Sequence, residues 1–228
     1  MGRVLVCNPV SGNRRVAARA REFALDREYD VRDTSGPGDA VDIARRAATE
    51  GADLVVACGG DGTVNEVVRG VDGAGALADV RLGVVPTGTG NGFAEDVGIT
   101  GVRDAFEAVE SGTVRSLDLG TADDRLFLKT CVSGIPAAVS AHTTPDMKRY
   151  FGLSAYGLGA LPSALDSLQG RHGEALPRLR VRLGDPNDPT WAGRAVLLLV
   201  GNSRRFPGLV FHQAPMEDGL LESVVVKP

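Results

Sequence analysis

Asp53-Leu54-Val55-Val56-Ala57-Cys58-Gly59-Gly60-Asp61-Gly62-Thr63-Val64-Asn65-Glu66 is the stretch that decides the fold. It opens with a short apolar run that suits a buried strand. Val64, Val67, Val68 and Val71 then follow at the three- and four-residue spacing of one helix face. Gly59-Gly60-Asp61-Gly62-Thr63 therefore lies at a strand-to-helix turn. Glycines at such a turn let backbone N–H groups approach a phosphate closely, and the helix N-terminus adds partial positive charge. Asp61 is an anion placed where an anionic ligand should bind, which points to a metal ion or a hydroxyl as its partner. A plain tight turn with Asp61 as a helix cap explains the same residues.

Two more stretches repeat the pattern. Val4-Leu5-Val6-Cys7 reads as a strand and leads through Asn8-Pro9-Val10-Ser11-Gly12 into a helical pattern at Val16, Ala20 and Phe23. Leu82-Gly83-Val84-Val85-Pro86 leads into Thr87-Gly88-Thr89-Gly90-Asn91-Gly92-Phe93-Ala94, rich in hydroxyls and small residues. Strands are expected at 3–7, 29–33, 53–58 and 81–85, and helices at about 13–25, 39–50, 63–71 and 102–111. This alternation predicts a parallel α/β sheet, whose loops gather at the carboxyl edge where ligands bind. Thr34-Ser35-Gly36-Pro37-Gly38 belongs on that edge too, with Asp39 as a candidate cap.

After about residue 113 the texture changes to strands at Val114–Leu119, Arg125–Val132, Leu179–Leu183, Arg194–Val200, Leu209–Phe211 and Leu220–Val226. A mainly helical insertion at about 146–169 interrupts them, and Gly184 to Pro189 reads as a hairpin loop. The expected organisation is an α/β nucleotide-binding domain at 1–113 and a mostly antiparallel, β-rich domain at 114–228.

The 228 residues are 43% hydrophobic with a net charge of −4, which predicts a packed core and argues against nucleic acid as a partner. Lysine occurs only at Lys129, Lys148 and Lys227, so the other basic residues are arginines. Cys7, Cys58 and Cys131 lie in or beside apolar strands without metal-ligand spacing, as buried thiols of a reducing compartment do. No signal-peptide core follows Arg3, and glycines, prolines and polar residues interrupt the run from Tyr150 to Leu168 too often for a transmembrane segment. The expectation is a cytoplasmic protein whose membrane contact is peripheral.

Asn8-Pro9-Val10-Ser11-Gly12, Gly59-Gly60-Asp61-Gly62-Thr63-Val64-Asn65-Glu66 and Pro86-Thr87-Gly88-Thr89-Gly90-Asn91-Gly92-Phe93-Ala94 together resemble the diacylglycerol kinase catalytic-domain family, which includes bacterial lipid kinases and sphingosine kinases. NAD kinases and phosphofructokinases have loops similar to the Gly-Gly-Asp-Gly-Thr core alone; the three stretches in order are far more specific. The resemblance implies transfer of the γ-phosphoryl group of ATP to a lipid hydroxyl, with Mg2+ as cofactor. It implies phosphate and nucleotide contacts from Asn8, Ser11, Thr34, Gly59, Gly60, Asp61, Gly62, Thr63, Val64, Asn65, Gly88, Thr89 and Asn91. It gives Asp61 the Mg2+ of ATP or the orientation of the acceptor. It gives Asp218, with the backbone of Leu220, a structural Mg2+; an Asp-Gly turn accounts for Asp218 equally well.

There are departures. Gly92 stands where relatives often have Asp, and Glu95 where they often have Arg. The family's closing segment returns to the first domain with an Asp-Gly-Glu motif whose Glu is thought to act as general base; that motif is not found here. The expectation is a chain lacking that return segment, better at binding nucleotide than at turning it over. A bare sheet edge makes self-association, such as a homo-oligomer, an expected consequence. The apolar residues from Tyr150 to Leu165 fit a lipid cleft or a core helix, and Lys148, Arg149, Arg204 and Arg205 fit lipid head groups or ordinary solvated charge. Two alternatives stand beside the lipid kinase: a small-molecule kinase of the NAD kinase type, and a catalytically impaired nucleotide-binding protein or fragment.

Overall fold

The computed structural model describes residues 2–134, 179–185, 187–203, 205–206, 209–210 and 215–227. The helical stretch expected at 146–169, Lys148, Arg149, Arg204 and the side chain of Arg205 lie outside them. The chain divides into two compact units, Met1–Leu117 with Asp123–Leu128, and Asp118–Ala122 with Lys129–Pro228.

The first unit alternates strand and helix: β1 (Gly2–Cys7), α1 (Arg14–Leu25), β2 (Asp30–Asp33), α2 (Asp39–Thr49), β3 (Ala52–Gly59), α3 (Asp61–Gly73), β4 (Arg81–Pro86), α4 (Gly92–Asp96) and α5 (Val102–Ser111). The strands form one parallel sheet in the order β2-β1-β3-β4. Strands buried on both faces need continuous apolar sequence, and β3 supplies it: Leu54 to Gly59 are all buried. On one face Leu5, Cys7, Leu54, Val56, Cys58 and Val85 pack with Ala20 and Ala24 of α1 and Ala105 and Phe106 of α5. The alternate residues Val4, Val6, Val55 and Ala57 are equally buried. Phe106 is fully enclosed, with Tyr29 edge-on at 5.6 Å; truncating such a ring to alanine costs about 3–5 kcal/mol.

Helix α1 begins where Asn13 accepts a hydrogen bond from the N–H of Arg15, a side-chain cap of the usual kind. Helix α2 crosses α3 closely because Gly70 has no side chain: a Cβ there would overlap Val41 O and press on Ala44 Cβ.

The remaining strands are β5 (Gly120–Ala122), β6 (Arg125–Phe127), β7 (Thr130–Gly134), β8 (Leu179–Gly184), β9 (Pro189–Ala195), β10 (Leu197–Gly201), β11 (Arg205–Phe206), β12 (Leu209–Val210) and β13 (Glu222–Val226). Strand β6 belongs to the first unit and the others to the second. Within the second unit β10 pairs antiparallel with both β13 and β7, and β8 pairs antiparallel with β9. The mostly antiparallel character expected after the α/β half is therefore present. Between β8 and β9, Asp185 Oδ1 accepts from Asn187 N at 2.7 Å.

Two expectations change in detail. Residues 113–119 form no strand; Asp118 N donates instead to Met216 O at 2.7 Å, an isolated bond and not a ladder. The stretch Arg125–Val132 is broken at Leu128–Lys129, where the chain passes from the first unit to the second.

Candidate active site

A parallel sheet puts the carboxyl ends of its strands on one edge, and here four connections leave that edge side by side. They are 8–13, 34–38, the single residue Gly60, and 87–91. Each of the longer three is anchored by one backbone bond beyond the regular ladder. Asn8 N donates to Cys58 O at 2.9 Å, Thr34 N to Cys7 O at 2.8 Å and Thr87 N to Gly59 O at 3.1 Å. Asn8, Thr34 and Thr87 are thus fixed by the strands beside them. Beneath them the buried thiols of Cys7 and Cys58 touch at 3.4 Å. The Cys58 thiol is pushed up by that contact and by burial, so it stays protonated. Cys131 is half-buried.

Three of the connections meet at their glycines. A Cβ on Gly88 would overlap the Cα of Gly60, and one on Gly12 would overlap Thr87 O and Gly88 C. Gly12 is also left-handed at φ +52°, so both its shape and its surroundings require glycine. Asp61 N donates to Gly90 O at 3.2 Å, which ties the start of α3 to the 87–91 loop. Helix α3 starts one residue after β3, and its first internal bond runs from Val64 N to Gly60 O at 3.1 Å. The N–H groups of Gly62 and Thr63 have no carbonyl four residues back inside the helix. A Cβ on Gly62 would meet nothing within 4 Å, so this turn is open on that side.

Asp61 has a second task that a linear reading does not show. Its Oδ1 accepts from Phe93 N at 2.8 Å and its Oδ2 from Gly92 N at 3.1 Å. It caps α4, not its own helix. Asn91, which stands at the α4 N-cap, instead clasps Gly88: Gly88 N donates to its Oδ1 at 3.0 Å and its Nδ2 donates to Gly88 O at 2.9 Å. Each Asp61 oxygen keeps a further lone pair, so the half-buried carboxylate can still receive a water or a cation. Mg2+ held with a nucleotide takes one or two carboxylates and otherwise phosphate and water, a donor set this edge fits.

The structure thus brings together Asn8, Ser11, Gly59, Gly60, Asp61, Gly62, Thr63, Gly88 and Asn91. Asn8 Nδ2 lies 3.5 Å from Thr63 Oγ1, and its Oδ1 accepts from Val10 N at 3.2 Å. Ser11 Oγ would lie 3.9 Å from a Cβ on Gly60. Thr89 is exposed on the same loop, and Thr34 sits at the end of neighbouring β2. Val64 is instead buried in the core with its amide already bonded, which leaves it supporting the loop from below. Asn65 Oδ1 accepts from Leu128 N at 3.1 Å, a structural contact within the first unit. Asp39 turns back on its loop: Oδ2 accepts from Ser35 N at 2.8 Å, Gly36 N at 2.9 Å and the Ser35 hydroxyl. In the second unit Asp218 Oδ1 accepts from Leu220 N at 3.0 Å, and Gly219, at φ +72°, donates its N–H to Asp118 Oδ2 at 2.6 Å. Those bonds are an Asp-Gly turn, and among the described residues no group of three or more acidic, Cys or His side chains could hold a metal. Groups absent from the sequence-based site set are Gly12, whose signal was the Asn8-Pro9-Val10-Ser11-Gly12 turn, and the Gly90 carbonyl and the Gly92 and Phe93 amides, whose signal was the small-residue run at 87–92.

Glycine connections crossing at the carboxyl edge of a parallel sheet define an α/β fold whose open edge is of the kind that suits a phosphate. Comparison makes the class specific: the diacylglycerol kinase catalytic domain model matches residues 3–122. A protein named probable lipid kinase YegS-like from Pseudomonas aeruginosa is 35% identical over 217 residues, covering 93% of this chain and 67% of its own length. A diacylglycerol kinase from Staphylococcus saprophyticus is 26% identical, covering 98% of this chain and 72% of its own. A crystal structure of a diacylglycerol kinase from Bacillus anthracis shares the fold, with a TM-score of 0.73 over 99% of this chain and 73% of that one at 22% identity. The chain belongs to the diacylglycerol kinase catalytic domain family, a family of kinases, and spans about two thirds of the length of the Pseudomonas relative.

Proposed function

We propose that this protein transfers the γ-phosphoryl group of ATP to the hydroxyl of a diacylglycerol-like lipid presented at a membrane surface. The observation that carries this is the crossing of Gly60 and Gly88 beside the open face of Gly62. Phosphoryl transfer is mainly positioning and charge stabilisation. The amides of Gly62 and Thr63 would hold phosphate oxygens at the start of α3. Asn8, Ser11, Thr34, Thr89 and the 87–91 backbone would contact the rest of the nucleotide. Mg2+ bound with ATP supplies charge neutralisation on the phosphates, and Asp61 is the carboxylate placed to hold it, directly or through water. The capping bonds from Gly92 and Phe93 keep that carboxylate from swinging away. Among the described residues no helix is long and apolar enough to cross a membrane, so lipid is met from outside the bilayer under this proposal.

The test is γ-labelled ATP with mixed micelles of diacylglycerol, phosphatidylglycerol and long-chain bases, beside NAD. Label is expected on a lipid and absent with Asp61→Ala. Label on NAD alone overturns the acceptor, and nucleotide binding without any transfer favours the non-catalytic reading.

A further inference from the structure

Cys7 and Cys58 are two free thiols in contact, and the proposed transfer makes no use of them. They stand directly opposite each other, the last residue of β1 in register with the penultimate residue of β3. Their sulfurs lie 3.4 Å apart and both side chains are buried. Neighbouring strands run about 4.7–4.9 Å apart, within the roughly 4.4–6.8 Å that the Cα atoms of a disulfide span. The sulfurs need only close from 3.4 Å to about 2.05 Å to bond. The two thiols are also chemically unequal. Contact with Cys58 is the leading cause that holds the Cys7 thiol below its usual range, whereas the Cys58 thiol is pushed up. Cys7 is therefore the one to lose its proton and act as nucleophile.

The pair lies directly under the candidate site. Cys7 precedes Asn8, and Cys58 precedes Gly59 and Gly60. Cys58 O accepts from Asn8 N at 2.9 Å, Gly59 O accepts from Thr87 N at 3.1 Å, and Cys58 Sγ lies 3.8 Å from Thr87 Oγ1. The glycine crossing has no slack, since a Cβ on Gly88 would already overlap Gly60 Cα. Drawing the ends of β1 and β3 together must then shift the loops that follow them. We propose that Cys7 and Cys58 form a reversible disulfide with hydrogen peroxide as oxidant, and that this bond deforms the carboxyl edge of the sheet and weakens nucleotide binding. The effect on nucleotide rests on the reading of that edge as the ATP site. The Cys7 thiolate attacks one peroxide oxygen, the O–O bond breaks and hydroxide leaves, forming a sulfenic acid. The Cys58 sulfur then attacks the Cys7 sulfur. The S–S bond forms, the S–O bond breaks, and the hydroxyl leaves with the Cys58 proton as water. Two thiols are oxidised and one peroxide is reduced to two waters. Peroxide is scarcely larger than water, and Asn8 and Gly60, which lead away from the pair, are only half-buried. Small thiols reverse the bond by exchange.

The experiment treats the reduced protein with hydrogen peroxide, blocks the remaining thiols under denaturing conditions and maps the peptides. A Cys7–Cys58 link is expected, with Cys131 outside it. In the unliganded protein oxidation should alter amide exchange at 8–12 and 59–63, and Mg-ATP should bind about tenfold more weakly. Dithiothreitol should remove the link and restore both. Cys131→Ser should keep the response. Cys7→Ala and Cys58→Ala should each abolish it, and either one that folds suffices. Absence of the link, oxidation at Cys131 alone, or a link that leaves exchange or Mg-ATP affinity unchanged overturns the proposal. The two readings fail separately. Reduced protein that binds no Mg-ATP sinks the kinase, and the link and its effect on exchange still decide the disulfide.

Discussion

Gly62 and Gly88 lie close to one crossing and make opposite demands. A Cβ at Gly88 would run into Gly60 backbone, so Gly88→Ala should destabilise the protein by about 1–3 kcal/mol, seen as a lowered thermal midpoint. A Cβ at Gly62 enters open space inside a helix, so Gly62→Ala should stabilise the unliganded chain by up to about 1 kcal/mol. The same methyl would stand where a phosphate approaches. Titration with Mg-ATP should therefore show weaker binding in a variant that melts higher; unchanged affinity would remove Gly62 from the site. Asp61→Ala leaves two α4 amides without their acceptor and should cost about 0.5–2 kcal/mol besides transfer. Asp61→Asn retains an acceptor oxygen and should recover part of the stability, readable in the same melts. The glycines were legible in the sequence because close approach leaves no other choice of residue. The capping role of Asp61 was not, because its partners lie 31 and 32 positions away and are backbone atoms.

At the scale of elements, α3 is held against α2 by the absence of a side chain at Gly70. Alanine has the better helix propensity by about 1 kcal/mol, yet Gly70→Ala should lower the midpoint because its Cβ overlaps Val41 O. A raised midpoint would show that α2 shifts without cost. The 34–38 loop depends on Asp39, whose carboxyl is held below its usual 3.8 first by the Ser35 hydroxyl and then by the Ser35 and Gly36 amides. A lowered acid stabilises the fold above its unfolded value, and the gain disappears as pH falls through the folded value. The gap in midpoint between wild type and Asp39→Asn should persist from neutral pH down to about 3.8 and close below it. A gap that does not change with pH would place the effect elsewhere. Apart from the short α4, which the sequence reading did not expect, the βα elements were legible within a residue or two because their apolar periods are long and their turns glycine-rich. The strands after residue 113 were less so. Arg125–Val132 reads as one apolar run, and only tertiary bonds such as Leu128 N to Asn65 reveal where it breaks.

At the scale of the molecule, the order of loops and strands carried the family, because three phosphate-type turns in sequence have few other uses. The contact of Cys7 with Cys58 was hidden, because the two stand 51 positions apart and only the register of β1 on β3 brings them together. The central claim is that nucleotide binds at the carboxyl edge of the parallel sheet, and amide hydrogen exchange with and without Mg-ATP tests it most directly. Protection is expected at 8–12, 34–38, 59–63 and 87–93, with the first unit's other loops unchanged. No protection at 59–63 and 87–93 under saturating Mg-ATP, or protection confined to another surface, would contradict it.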